Sequence, residues 1–137
     1  GLIAAPSDES SGAQWGCYGT PISGADGTAI GTGAQNTIDI ESGCSTPGTA
    51  ADICVNLVLS GYTDWFLPSK DELNLMYQNI GQGNALGLGN VGGFANLYYW
   101  SSTEFDGVIA WGQDFANGFQ LYVYKSNNGY VRSVRAF

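Results

Sequence analysis

Hydrophobic positions change their spacing twice along this chain. Up to residue 48 they are sparse. Trp15, Tyr18, Ile22 and Ile30 stand singly among Gly, Ser, Thr and Ala, with short strand-like pieces only at 14–18 and 37–40. Isolated large side chains of this kind act as anchors and predict long ordered loops, not a linker. From Thr49 the spacing becomes helical: Ile53, Cys54, Leu57 and Val58 recur on one face and Gly61 supplies a stop, so a helix is predicted over 49–59. A second helix begins sharply at Ser69. Glu72 stands three residues on, as a capping box requires, and Leu73, Met76, Tyr77 and Ile80 then form an apolar face that ends at Gly81.

Residues 82–93, rich in Gly and Asn, predict an exposed loop. Beyond them the spacing falls to two. Segments 98–103, 108–115, 119–125 and 130–137 read as strands, and Asn117-Gly118 and Asn128-Gly129 supply the positive φ angles of tight hairpins. The expectation is an α+β domain with two helices, an antiparallel C-terminal β-meander and long ordered loops.

The chain has 137 residues, of which 44% are hydrophobic and 13% aromatic, so residues 1–137 read as one domain. Only 12% are charged: four Lys and Arg stand against twelve Asp and Glu, a net charge of -8. Such a surface repels phosphate backbones, and no nucleic-acid partner is expected. Histidine is absent, which removes Ser-His-Asp and Cys-His catalysis, His-ligated zinc and imidazole switching. No segment approaches the roughly 18 apolar residues of a bilayer span, so membrane insertion is not expected. The opening Gly1–Pro6 lacks the order of a signal peptide and reads as a mature or excised start.

Cys17 and Cys44 lie in Gly-rich loops and Cys54 in the helical stretch. The odd count predicts one disulfide and one buried thiol, with the pairing open. Together with the low charge and abundant Tyr and Trp, this points to an exported protein.

Three ordered motifs carry a family likeness. Gly61-Tyr62-Thr63-Asp64-Trp65-Phe66-Leu67-Pro68-Ser69-Lys70-Asp71-Glu72-Leu73 is followed by Tyr99-Trp100-Ser101-Ser102-Thr103-Glu104 with Ala110-Trp111, then by Tyr130-Val131-Arg132-Ser133-Val134-Arg135. Across its length the chain resembles the Legionella collagen-like protein C-terminal domain family, akin to the Fibrobacter succinogenes major paralogous domain. The resemblance implies a C-type-lectin-like fold and a secreted or surface-attached bacterial protein used in adhesion. It further implies glycan ligands such as glycosaminoglycans and a trimeric assembly. Retroelement-diversified receptors share the fold and place their variable residues in the C-terminal meander.

The chain departs from the family pattern twice. Phe66 stands where the motif more often has Arg, and the Gly-Gly-x-x-Phe-Tyr strand that usually precedes the segment matching Gly1–Ala5 is missing. The chain thus reads as a piece of a longer protein, and the edge beside the last strand, at 131–137, is expected to be open or paired by another chain.

Expected structural residues are Asp64, Trp65, Ser69, Glu72, Trp100, Trp111, Arg132 and Arg135. The three Trp pack the core, Ser69 and Glu72 cap, and the two Arg, on opposite faces of one strand, are buried beside a carboxylate such as Asp64 or Glu104. Expected ligand contacts lie on the last strands. Alternation sets Phe119, Leu121 and Val123 inward and Gln120, Tyr122 and Tyr124 outward; with Asp106, Gln113, Asn117, Asn127 and Asn128 these form a surface of hydroxyls, amides and rings.

The leading expectation is a non-catalytic extracellular binding domain, not an enzyme. It holds a glycan or surface polymer through this face, and the charge favours a neutral glycan over a sulfated one. A diversified protein-binding receptor and a structural subunit of an extracellular filament or surface layer are the alternatives, the latter with assembly into a trimer or filament. No cofactor or metal ligand set is expected. The loops at Asp26-Gly27 and Asp106-Gly107 could hold Ca²⁺, without EF-hand spacing.

Overall fold

A computed structural model describes residues 1–137. In chain order the elements are β1 (Leu2–Ala4), β2 (Ser10–Ala13), α1 (Gly33–Gly43), α2 (Ala50–Val55), α3 (Lys70–Ile80), β3 (Tyr98–Glu104), β4 (Ile109–Asp114), β5 (Gln120–Tyr124), β6 (Gly129–Val131) and β7 (Val134–Ala136). The domain is α+β, with three helices where two were expected. The 37–40 segment is helical, not strand-like, and belongs to α1. Its β-branched Thr37 and Ile40 are buried there, with Thr37 Oγ1 donating to the Gly33 carbonyl at 2.8 Å. The 49–59 helix is shorter than its periodicity suggested. Thr49 caps α2 by accepting from the Asp52 N–H, but the helix stops at Val55. Residues 14–18 form no strand; the early strands are β1 and β2.

Five strands form one sheet in the order β2-β6-β3-β4-β5, and β1 pairs with β7 in a second. The meander holds for β3, β4 and β5. It then breaks, because β6 crosses back to the far side of β3 and runs parallel to it, Tyr99 opposite Tyr130. Neither Asn-Gly pair makes a two-residue hairpin: Gly118 takes a positive φ of 82° inside a five-residue loop, and Asn128-Gly129 opens β6 with no positive φ. Arg132 and Arg135 do not share a strand, since residues 132 and 133 separate β6 from β7. The edge expected to be open beside the last strand is closed within the chain: β7 has β1 on one side and Phe66, bonded both ways to Val134, on the other.

Alternation on β3 sends neighbouring rings to opposite faces, so the sheet carries two cores. Trp100, Ala110, Val123 and Val131 pack with Ile40 of α1 and Ala50, Ala51 and Cys54 of α2. Trp15 joins them, fully buried, its Nε1 donating to the Ser101 carbonyl at 3.0 Å, while Trp100 Nε1 donates to the Ala13 carbonyl at 2.8 Å. On the other face Tyr99 packs with Phe66, Phe94, Phe115 and Val134 beneath Leu73 and Met76 of α3. Tyr18 and Ile30 are not anchors; both are exposed.

The capping box forms as the sequence predicts. Ser69 Oγ accepts from Glu72 N–H while Glu72 Oε1 accepts from Ser69 N–H at 2.8 Å. Glu72 Oε2 also accepts from Gly31 N–H at 3.0 Å, tying the loop before α1 to the start of α3. The approach is so close that a Cβ on Gly33 would lie 2.1 Å from Glu72 Oε1. One disulfide joins Cys17 to Cys44, and Cys54 is a buried free thiol whose pKa burial raises.

Candidate functional site

α3 covers only part of the sheet face it packs on, and the rest of that face, on β4 and β5, carries rings. Lys125 N–H bonds to the Val108 carbonyl and Asp114 N–H to the Phe119 carbonyl, so the pairs Ile109–Tyr124 and Trp111–Tyr122 fall between the ladder hydrogen bonds. Side chains approach most closely at such pairs. Trp111 and Tyr122 accordingly lie 4.3 Å apart between ring centroids, and Phe105, at the end of β3, meets Tyr122 edge-on at 4.7 Å. Further along, Tyr18 tilts against Tyr124 at 6.4 Å. Tyr18, Phe105, Tyr122 and Tyr124 keep 54–57% of their surface accessible. Solvated rings in a row offer a partner a large apolar contact at little conformational cost.

At the inner end of the row, Lys70 in the first turn of α3 holds its Nζ 3.9 Å above the centre of Trp111. It is the one cation without a carboxylate. Lys125 pairs with Glu104 at 3.4 Å, Arg132 with Asp8 at 2.8 Å and Arg135 with Asp64 at 2.7 Å. Hydrogen bonding to Arg135 holds the Asp64 carboxyl below the usual range, while burial depresses Lys125 and raises Glu104.

The structural residues fall into two groups. Trp65, Ser69, Glu72, Trp100 and Arg132 are buried as expected. The partner of Arg132 is Asp8, with further bonds to the carbonyls of Ala5 and Gly92 at 3.2 and 2.8 Å, and neither Asp64 nor Glu104. The Arg135–Asp64 pair is correct as a pair but sits at the surface, stacked on Tyr62 at 3.6 Å. Trp111 was assigned to the core and is only half-buried, in the aromatic row.

Of the expected contact residues, Tyr122 and Tyr124 point outward and Gln120 is half-buried beside them. Gln113 does not belong on that surface. It is 1% exposed, covered by α3, and its Nε2 donates to Asn74 Oδ1 at 2.9 Å and the Gly118 carbonyl at 3.0 Å. Asp106 is exposed at the β3–β4 turn, where its Oδ1 accepts from Val108 and Ile109 N–H at 2.8 Å; Asn117 Oδ1 likewise accepts from Phe119 N–H at 2.9 Å. Asn127 is exposed just beyond β5. Asn128 borders a cavity with Gly12 and Gln14 of the β2 edge and so lies apart from the row. Phe119, expected to face inward, precedes β5 and is exposed.

Sequence reasoning missed Tyr18, Lys70 and Phe105. The Trp111–Tyr122 contact was accessible from strand pairing, but Tyr18 reaches β5 through a disulfide-anchored loop that leaves no local signal. No three Asp, Glu or Cys side chains gather as a metal site would need.

No helix is long and apolar enough to cross a membrane. The family model for the Lcl C-terminal domain matches residues 6–135, as the three motifs led us to expect, and the chain belongs to that family. No curated protein matches the chain.

Proposed function

We propose that this member of the Lcl C-terminal domain family is a non-catalytic, extracellular binding module of the C-type-lectin-like fold, which holds a neutral glycan or surface polymer against the rings of β4 and β5. The observation that carries the reading is the row of accessible Phe105, Tyr122 and Tyr124 beside the part of the sheet that α3 leaves uncovered. Pyranose rings stack on aromatic faces through dispersion and CH contacts, while hydroxyls reach the neighbouring Gln120, Asn117 and Asp106. The Cys17–Cys44 disulfide suits an oxidising compartment. A net charge of -8 disfavours sulfated chains.

The test is a glycan array with the wild type beside Phe105→Ala and Tyr122→Ala. Binding to neutral glycans should weaken by about tenfold or more in each variant while the melting temperature holds. Heparin binding in the absence of neutral-sugar binding, or full binding by the double variant, overturns the reading.

A protein ligand at the same face is the second reading, favoured by the grouping of Tyr18, Tyr122 and Tyr124, the residue type that dominates adaptable protein-recognition surfaces. A blank glycan array together with a row-dependent protein complex would select it.

A further inference from the structure

The five-stranded sheet ends at β5, and that edge is bare. Because the pairs Gln113–Gln120 and Trp111–Tyr122 fall between the β4 ladder bonds, the N–H and C=O groups of Gln120 and Tyr122 turn away from β4, and β5 has no other neighbour. None of these groups has a partner in the chain. The Tyr124 carbonyl, next along, already accepts from the Asn127 N–H at 2.9 Å. β5 lies within the chain, between β4 and β6, so no terminus creates this edge. The devices that guard sheet edges are also missing: residues 119–124 hold no charge, Pro or Gly, and the register with β4 runs without a shift. Phe119 is 66% exposed at one end, and Leu121 is half-buried at the centre.

We propose that β5 pairs antiparallel with β5 of a second copy of the chain, across a two-fold axis at Leu121, joining two sheets into one. In this register each copy's Gln120 faces the other's Tyr122, and the hydrogen bonds they exchange use every free group while leaving the occupied Tyr124 carbonyl outside. Leu121 then meets its own equivalent and Phe119 meets Val123, so apolar side chains cover one another on one face of the joined sheet. The edge is thus its own complement, which singles out a second copy over a foreign strand. Each copy carries a net charge of -8, but none of it lies on β5, and Lys125 at the end of the strand is buried against Glu104. Repulsion between the copies is therefore remote and screened by salt. On the opposite face, Tyr122 of the two copies come to diagonal positions about 7–8 Å apart. Resting on the glycan reading above, the two aromatic rows then form one continuous platform for a polymer.

Sedimentation equilibrium of the full chain tests the association. A single strand pair is a small interface, so a dissociation constant of about 100 μM is expected, tightening as salt is raised. Leu121→Lys sets two ammonium groups against each other on the axis and should weaken the dimer by about tenfold or more. Cross-linking reads the register. Positions directly opposed between ladder bonds lie within disulfide reach, so Leu121→Cys should give a covalent dimer with oxidised glutathione as the oxidant. Phe119→Cys, whose equivalent lies far along the second strand, should not cross-link. A monomer at about 1 mM, an unweakened Leu121→Lys dimer, or equal cross-linking at both positions overturns the proposal. Because these measurements read association alone, the dimer and the glycan reading fail separately.

Discussion

Lys125 Nζ lies 3.4 Å from Glu104 Oε2, with the two side chains 0% and 8% accessible. The ammonium also donates to the Thr20 carbonyl at 3.2 Å and sits 4.4 Å over Trp15, while Glu104 Oε2 accepts from Ile22 N–H at 2.7 Å. The pair thus pins the loop at 20–22 to the ends of β3 and β5. Removing one partner strands the other in a dry site. Lys125→Met should lower unfolding free energy by about 3 kcal/mol, whereas Lys125→Met combined with Glu104→Gln should cost less than the single change. Urea denaturation of the three proteins measures the difference, and a double variant worse than the single would refute the account.

Reducing the Cys17–Cys44 bridge releases a loop closed over 27 positions. Loss of that constraint on the unfolded chain is expected to cost about 3 kcal/mol. Cys17→Ser with Cys44→Ser should therefore melt well below the parent. Cys54, buried and with its ionisation suppressed, should stay unreactive to a thiol reagent until unfolding; prompt labelling in the native state would contradict its position.

Stability should fall as pH rises from about 5 to 8. The Glu41 carboxyl, at the end of α1, faces Asp52 of α2 and is pushed up to about 7 by burial, with the Asp52 charge adding to it. The groups around it, Glu9 and the un-ionised Cys54, supply no positive charge, and burial raises Glu9 as well. A carboxyl whose folded pKa exceeds its unfolded value binds a proton more tightly in the fold. Its contribution is complete below the ordinary carboxylate range and is lost as pH climbs through the raised value. Because Glu41 is partly accessible, solvent screening trims the effect to about 1 kcal/mol. Melting curves across that range should show the decline, and Glu41→Gln should flatten it.

Ser69→Ala removes one half of the capping box and should cost about 1 kcal/mol. Glu72→Ala should cost more, since the carboxylate also holds Gly31 N–H. Equal losses would show that the tie to the loop before α1 contributes nothing to stability.

The start of α3 was legible because a capping box is local: two side chains three residues apart satisfy each other's backbone. α1 was not. Thr32 makes no side-chain cap, its hydroxyl bonding instead to the Ala29 carbonyl, and the helix is held by buried Asn36, Thr37 and Ile40. Tertiary contact there overrides a β-branched sequence. β6 escaped for another reason. Its partner β3 lies far away in the chain and runs parallel, so the nearest turn signal pointed to the wrong neighbour. Alternation placed Tyr122 and Tyr124 correctly, yet it could not reveal that α3 would roof Gln113 and stop short of Trp111. Period tells which side of a sheet a residue faces and nothing about what lies above it.

Because β1 waits for β7 and β2 for β6, the first strands of the domain have no partner until its last strands are made. The domain cannot close progressively from its beginning. Its assembly is dominated by long-range pairing and should be correspondingly slow, with α3 and the β3–β5 hairpins available first as a platform on which the domain's first and last strands settle together.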